Sequence, residues 1–266
     1  MRVALCLSGQ PRSAKETFPY IYENIIKPNN ADVFFHTCFD PNNLYMEQTH
    51  MDKGNCQLDN TIIDDIIQLY KPVRYLVEMP KSFSKSTIKI PEHRLQSSMK
   101  MNHHKNWTPE QHTAHTIKQL MSMYYSIFKA NEIKELYANE NGFVYDFVIR
   151  LRFDCVPMFV LNCSEYNPTY LHYQDMGHPD ELISDWINFG SNLIMNVYSS
   201  MYLNLEYINS PMYFPISERL PNTLEPSNIC SGFSEYMIRD IMTLYKIPSK
   251  KINLRCILAN SLLHFN

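Results

Sequence analysis

The sequence predicts an α/β fold: a mostly parallel central sheet flanked by helices, in a single domain spanning residues 1–266. Three observations predict it. Through the first half, short apolar runs alternate with amphipathic helical segments, the pattern of parallel strands joined by crossover helices. The 266 residues, 45% apolar and 19% charged, suffice for one sizeable core without staples. Only 6 Gly stand against 18 Tyr and 14 Phe, which leaves little material for long flexible loops.

The elements follow in order. "RVALCLSGQPR" is a buried strand that stops at a turn-forming Ser-Gly and a proline, so a loop opens near Ser8. "SAKETFPYIYENII" reads as a helix. "ADVFFHTCFD" is a second apolar strand with a polar end. In "TIIDDIIQLYKP" the apolar residues Ile62, Ile63, Ile66, Ile67 and Leu69 recur at helical spacing until Pro72 ends the pattern. "VRYLVEM" is the third strand. Residues 80–111, rich in Lys, Ser, His and Pro, lack periodicity and read as an excursion or lid. Ile117, Leu120, Met121, Tyr124, Ile127 and Phe128 mark a long amphipathic helix that ends near Asn141-Gly142. "FVYDFVIRLRFD" is the next strand, followed by strands at "TYLHY" and "WINFG" and a helix at "SNLIMNVYSSMYLNLEYI". A helix at "SGFSEYMIRDIMTLY" and one short strand at "KINLRCIL" complete the chain. Ligands of such sheets bind beyond the carboxyl ends of the strands. The loops at Ser8–Arg12, His36–Asp40 and Arg152–Asp154 are therefore expected along one edge.

The totals exclude some functions. A net charge of −3, from 24 basic and 27 acidic side chains spread along the chain, gives no basic stripe that would track a nucleic acid. The first apolar run holds five residues before Ser8, too short for a signal-peptide core or a membrane span. The 7 cysteines (6, 38, 56, 155, 163, 230 and 256) include no CxxC pair, and Cys6 and Cys155 sit in apolar runs. They are expected to be reduced thiols of a cytoplasmic protein, in which the sequons at Asn106 and Asn162 are chance matches.

Arg150, Arg152 and Asp154 alternate along "FVIRLRFDC", on one face of an otherwise apolar strand. Guanidinium forks suit phosphoryl oxygens and a carboxylate suits a bridging divalent ion, so the row points to a diphosphate; a purely structural Arg-Asp cluster is the alternative. "LSGQPR" offers backbone N–H groups and Arg12, but it is neither GxGxxG nor a P-loop. "MPKSFSKST" faintly resembles a phosphosulfate loop and keeps a sulfotransferase as a remote alternative. His103, His104, His112 and His115 form no recognisable zinc set, and solvated or capping roles account for them. Asp185 precedes an aromatic strand, where a carboxylate beside Trp186 can act as a general base; Glu225, ahead of the last long helix, is a second candidate. Each could equally cap a turn or a helix entry.

Taken in order, "RVALCLSGQPR", "ADVFFHT", "QLMSMYYSIFKANEIKELYANENGFVYDFVIRLRFD" and "DWINFGSNLIMNVY" resemble the small GT-A-type glycosyltransferases of polysaccharide-synthesis loci and of large DNA viruses of algae. Roughly residues 40–110 and the last 40 or so lie outside the resemblance. It implies a GT-A-like, Rossmann-like sheet, with a nucleotide-binding half at about 1–155 and an acceptor-side half at about 156–266. It further implies transfer of a sugar, possibly xylose or a hexose, from a UDP-sugar to a glycan or glycoprotein acceptor, in the host cytoplasm if the protein is viral. Ser8, Gly9, Gln10, Arg12, His36, Thr37 and Ser126 carry over as donor-binding positions. Asp154 matches the last acidic residue of a DxD-like motif, which would hold Mn2+ or Mg2+. Arg152 stands where the first acidic residue of that motif belongs, so arginines could replace part of the metal's charge. His264 could complete a metal shell. The departure also admits a second class of function, a non-catalytic nucleotide- or glycan-binding module of the same fold.

Overall fold

The computed structural model describes residues 1–46, 56–83, 108–177, 182–208 and 233–259. Strand β1 (Val3–Ser8) is buried at every position, as a continuous apolar run covered on both faces must be. Gly9 follows with φ +112° and Ser13 with φ 56°, so the chain turns sharply into helix α1 (Ala14–Ile21). That helix continues through a wider π-type turn, Tyr22–Ile26, to Lys27–Asn29. Strand β2 (Asp32–Cys38), the short β3 (Tyr45–Met46) and β4 (Cys56–Gln57), helix α2 (Ile62–Tyr70) and strand β5 (Arg74–Glu78) complete the first third. Helix α3 (Pro109–Glu140) begins three residues earlier than its histidine-rich start suggests. Thr108 caps it in a reciprocal box with Gln111.

Then come β6 (Phe147–Arg152), β7 (Cys155–Pro157), β8 (Leu171–Gln174), β9 (Ile187–Ser191), α4 (Asn192–Ser199), α5 (Met201–Ile208), α6 (Phe233–Leu244), β10 (Ser249–Ile252) and β11 (Cys256–Leu258). The central sheet runs β10-β8-β9-β6-β1-β2-β5. All its pairings are parallel except those of β9, which lies antiparallel to both β6 and β8. The α/β class and the mostly parallel sheet expected from the sequence are both present.

Residue parity along the strands sorts the core into two layers. Ala4, Cys6, Phe34 and Val148 face α3, α4, α5 and α6 on one side. Leu5, Leu7, Phe35, Ile149 and Leu151 face α1 and α2 on the other. Two expected elements divide. The helix over 192–208 breaks at Ser200, whose hydroxyl donates to Val197 O at 2.7 Å and competes with the helical ladder. "KINLRCIL" becomes two strands in different ladders: β10 extends the main sheet beside β8, and β11 pairs antiparallel with β7. The proposed excursion falls largely on 84–107, outside the described residues. Glu225, His264, His103, His104, Asn106 and Cys230 lie outside them as well.

Candidate functional site

The chain leaves β1, builds β2 and β5 outward on one side, then returns to β6 on the other side of β1. This makes a switch point between β1 and β6, the place where sheets of this kind bind ligands. The register places His36, Ser8 and Arg152 side by side at the ends of β2, β1 and β6. Because β9 runs the other way, its beginning reaches this same edge. Asp185 and Trp186 therefore stand beside the strand ends rather than at the opposite side of the sheet.

The row expected on one strand divides into three environments: Arg150 and Arg152 lie on β6, and Asp154 lies in the turn that follows it. Arg150 is 2% exposed and points beneath the edge, where its guanidinium donates to the Asp185 carbonyl oxygen and its Nε to Ser8 Oγ at 3.3 Å. Arg152, half-buried one step further out, grips Asp154 with Nε to Oδ1 and Nη2 to Oδ2, both at 2.8 Å. Arg12 reaches the same carboxylate across the switch point, with Nη2 at 2.9 Å and Nε at 3.3 Å from Oδ2. Burial alone would raise the Asp154 pKa, but the two guanidiniums outweigh it and hold the carboxyl below its usual range. Two cations thus share one anion. The arrangement carries one excess positive charge at the edge, on side chains 15% and 20% exposed.

A second network holds the Ser8–Arg12 loop from behind. Gly9 N–H donates to Ser126 Oγ at 2.9 Å, and Thr37 Oγ1 donates to the Gly9 carbonyl at 2.8 Å. Ser126 Oγ also meets His36 Nδ1 at 2.9 Å, while His36 Nε2 meets Glu78 Oε2 at 3.0 Å. Burial lowers the His36 pKa against the opposing pull of Glu78, which favours a neutral ring. A neutral ring facing a carboxylate carries its proton on Nε2, so Ser126 Oγ accepts from Gly9 N–H and its single proton is shared between His36 Nδ1 and the His36 carbonyl oxygen, 3.1 Å away. Tyr125 and Lys81 also engage Glu78, at 2.7 and 3.0 Å. Burial would raise Glu78, but the hydrogen bonds from Tyr125, Lys81 and His36 prevail and lower it to about 2. Lys81, in the stretch that resembled a phosphosulfate loop, is thereby committed to a carboxylate.

Among the expected donor-binding residues, the structure brings Ser8, Gly9, Arg12, Arg150, Arg152 and Asp154 together at the switch point. Gln10 is exposed at the loop tip. His36, Thr37 and Ser126 are buried and act as supports for the loop. Asp185 is 7% exposed and lies near a carboxylate that the sequence reading missed, Glu235 in the first turn of α6. Burial and the charge of Asp185 push the Glu235 carboxyl up to about 8, and Ser234 Oγ lies 3.1 Å from Glu235 Oε2. The start of α6 is fixed by Tyr124 OH, which donates to Ser234 O at 3.0 Å. Glu235 looks in sequence like an acidic residue at a helix start. Only the fold, which lays α6 over Asp185, distinguishes it.

Asp154 is the residue that would hold a divalent ion. Both its oxygens are engaged by guanidiniums, so Mn2+ or Mg2+ would compete with Arg12 and Arg152 for it. Among the described residues no group of three His, Cys, Asp or Glu side chains converges on a common point. No described helix is long and apolar enough to cross a membrane. No family model matches the sequence, and no curated protein matches it significantly.

Proposed function

We propose that the chain is a nucleotide-sugar-dependent glycosyltransferase of GT-A-like architecture that moves a sugar from a UDP-sugar to a hydroxyl of a glycan or glycoprotein. The single observation that carries the reading is the Arg12–Asp154–Arg152 cluster across the switch point. It is a fixed, partly exposed excess of guanidinium charge at the place where a parallel sheet binds ligands, and it suits a diphosphate. Xylose or a hexose is the transferred sugar in this reading.

In the reaction, the acceptor hydroxyl oxygen forms a bond to the anomeric carbon while the bond from that carbon to the diphosphate oxygen breaks. The diphosphate leaves with the electron pair, and Arg12 and Arg152 stabilise its developing charge. The hydroxyl proton passes to the Asp185 carboxylate, and attack in a single displacement on the face opposite the leaving diphosphate inverts the anomeric carbon. Glu235, held protonated by burial and by Asp185, leaves that corner with a single negative charge and a hydrogen-bond donor. A divalent ion at Asp154 would add to the neutralisation of the diphosphate; in this account the arginines carry most of it. Asp185→Asn is expected to lower turnover by about a thousandfold while leaving UDP affinity within about twofold. Equal turnover in wild type and variant rejects Asp185 as the base.

One observation favours a second reading, a nucleotide- or glycan-binding module without chemistry. The carboxylate expected to serve a metal is already neutralised by two arginines. Hydrolysis of a UDP-sugar that disappears in Asp185→Asn separates the two, because a pure binding module has no turnover to lose.

A further inference from the structure

A concavity lies on the same sheet edge, in the half beyond β6. It is a cleft of about 330 Å³ lined by Gln174–Met176, Trp186 and the stretch Asn253–Leu258. Its place follows from topology: β8 and β10 end here, and reversed β9 begins here. Trp186 directly follows Asp185 in the chain, at the entrance to β9, and packs on the α1 and α2 side of the sheet.

The polar groups of the cleft differ in how far they are committed. The Gln174 amide is fully used, donating to Cys256 O at 3.1 Å and accepting from Cys256 N–H at 3.0 Å, which pins the 253–258 stretch against β8. Asp175 accepts from Gly177 N–H at 2.8 Å and faces Lys251 at 3.5 Å, so its charge is answered. The exposed Arg255 is held through its backbone, its carbonyl accepting from Met158 N–H at 2.9 Å, while its guanidinium forms no ion pair among the described residues. Trp186 is half-buried. It packs with Leu254 and Leu258 against the apolar layer under the sheet, so its ring is fixed before any ligand arrives.

An aromatic wall held by packing, flanking leucines and a guanidinium without an ion pair among the described residues, in a volume at the small end of ligand sites, fit a sugar ring that carries a carboxylate. We infer that this cleft binds an acidic saccharide, with Trp186 as the platform for the ring and Arg255 as the anchor for the carboxylate. As the acceptor position of the reaction, the site rests on the transferase reading. The affinity of the cleft for the saccharide does not.

The test uses the full chain carrying Trp107→Phe, which leaves Trp186 as the reporter, since the sequence has 2 Trp. Methyl glucuronide and methyl glucoside are titrated against tryptophan fluorescence. The expected result is a saturable change with the glucuronide, at least about tenfold tighter than with the glucoside, and a glucuronide affinity reduced to the glucoside level by Arg255→Ala. Equal affinity for both probes, an affinity unmoved by Arg255→Ala, or no saturable change with either overturns the inference. UDP binding is measured in parallel. UDP bound normally with no glucuronide response removes the cleft proposal alone, and glucuronide bound without any UDP binding removes the transferase reading alone.

Discussion

Arg150 and Arg152 on β6 and Asp154 in the turn after it sit two residues apart, yet each answers a different physical demand. Arg150 is structural: its charge is spread over a backbone carbonyl and a hydroxyl beneath the sheet edge. Replacing it with Met is expected to cost roughly 2–4 kcal/mol in denaturant unfolding, because acceptors positioned for a cation lose their donor inside the fold. Arg152 and Arg12 have partial solvent access and share one anion. Arg152→Ala is expected to weaken UDP binding by about tenfold or more and to cost roughly 1–3 kcal/mol of stability, because the buried Asp154 keeps only Arg12, measured by calorimetric titration beside thermal melting. Glu235 gives a pH signature. Its folded pKa of about 8 lies above the ordinary 4.5, so the folded state binds the extra proton between those values and stability falls as pH rises through them. Glu235→Gln should flatten that decline, by up to about 1.4 kcal/mol per pH unit, and should be relatively stabilising at pH 8. The alternation of Arg150, Arg152 and Asp154 was legible in the sequence. Which arginine is buried, and that a glutamate from α6 meets Asp185, was not, because both depend on what lies over the strand.

At the scale of elements, β9 decides the geometry of the site. Its reversal brings Asp185 and Trp186 to the edge where the parallel strands end. Alternating periodicity marks a strand and says nothing of its direction, so the sequence revealed β9 but not this consequence. Gly190 in β9 shows how tightly the element is packed. A Cβ there would lie 2.8 Å from Tyr170 O and 3.2 Å from an Ile194 methyl. Gly190→Ala is therefore expected to destabilise the fold by about 1–3 kcal/mol, read from the urea midpoint. Helix α3 supports the Ser8–Arg12 loop through Ser126. Removing that hydroxyl with Ser126→Ala strands Gly9 N–H and His36 Nδ1, and should lower both stability, by roughly 1–3 kcal/mol, and UDP affinity. The long helix itself was readable from apolar residues three and four apart. Its capped start at Thr108 needed the local geometry, and the division of "KINLRCIL" followed from a pairing with β7 that no local pattern encodes.

At the scale of the whole molecule, one sheet edge carries the guanidinium cluster and, beyond β6, a separate cleft. The half from β1 to β6 presents guanidinium charge at a switch point. The half beyond it presents a tryptophan-walled cleft. The central claim is that the guanidinium pair, Arg12 and Arg152, binds a nucleoside diphosphate. Calorimetric titration of UDP in the presence of a chelator, on wild type and on the Arg12→Ala Arg152→Ala double variant, tests it most directly. The account predicts saturable binding to wild type that is weakened by about a hundredfold or more in the double variant. No binding to wild type, or equal binding to both proteins, would contradict it.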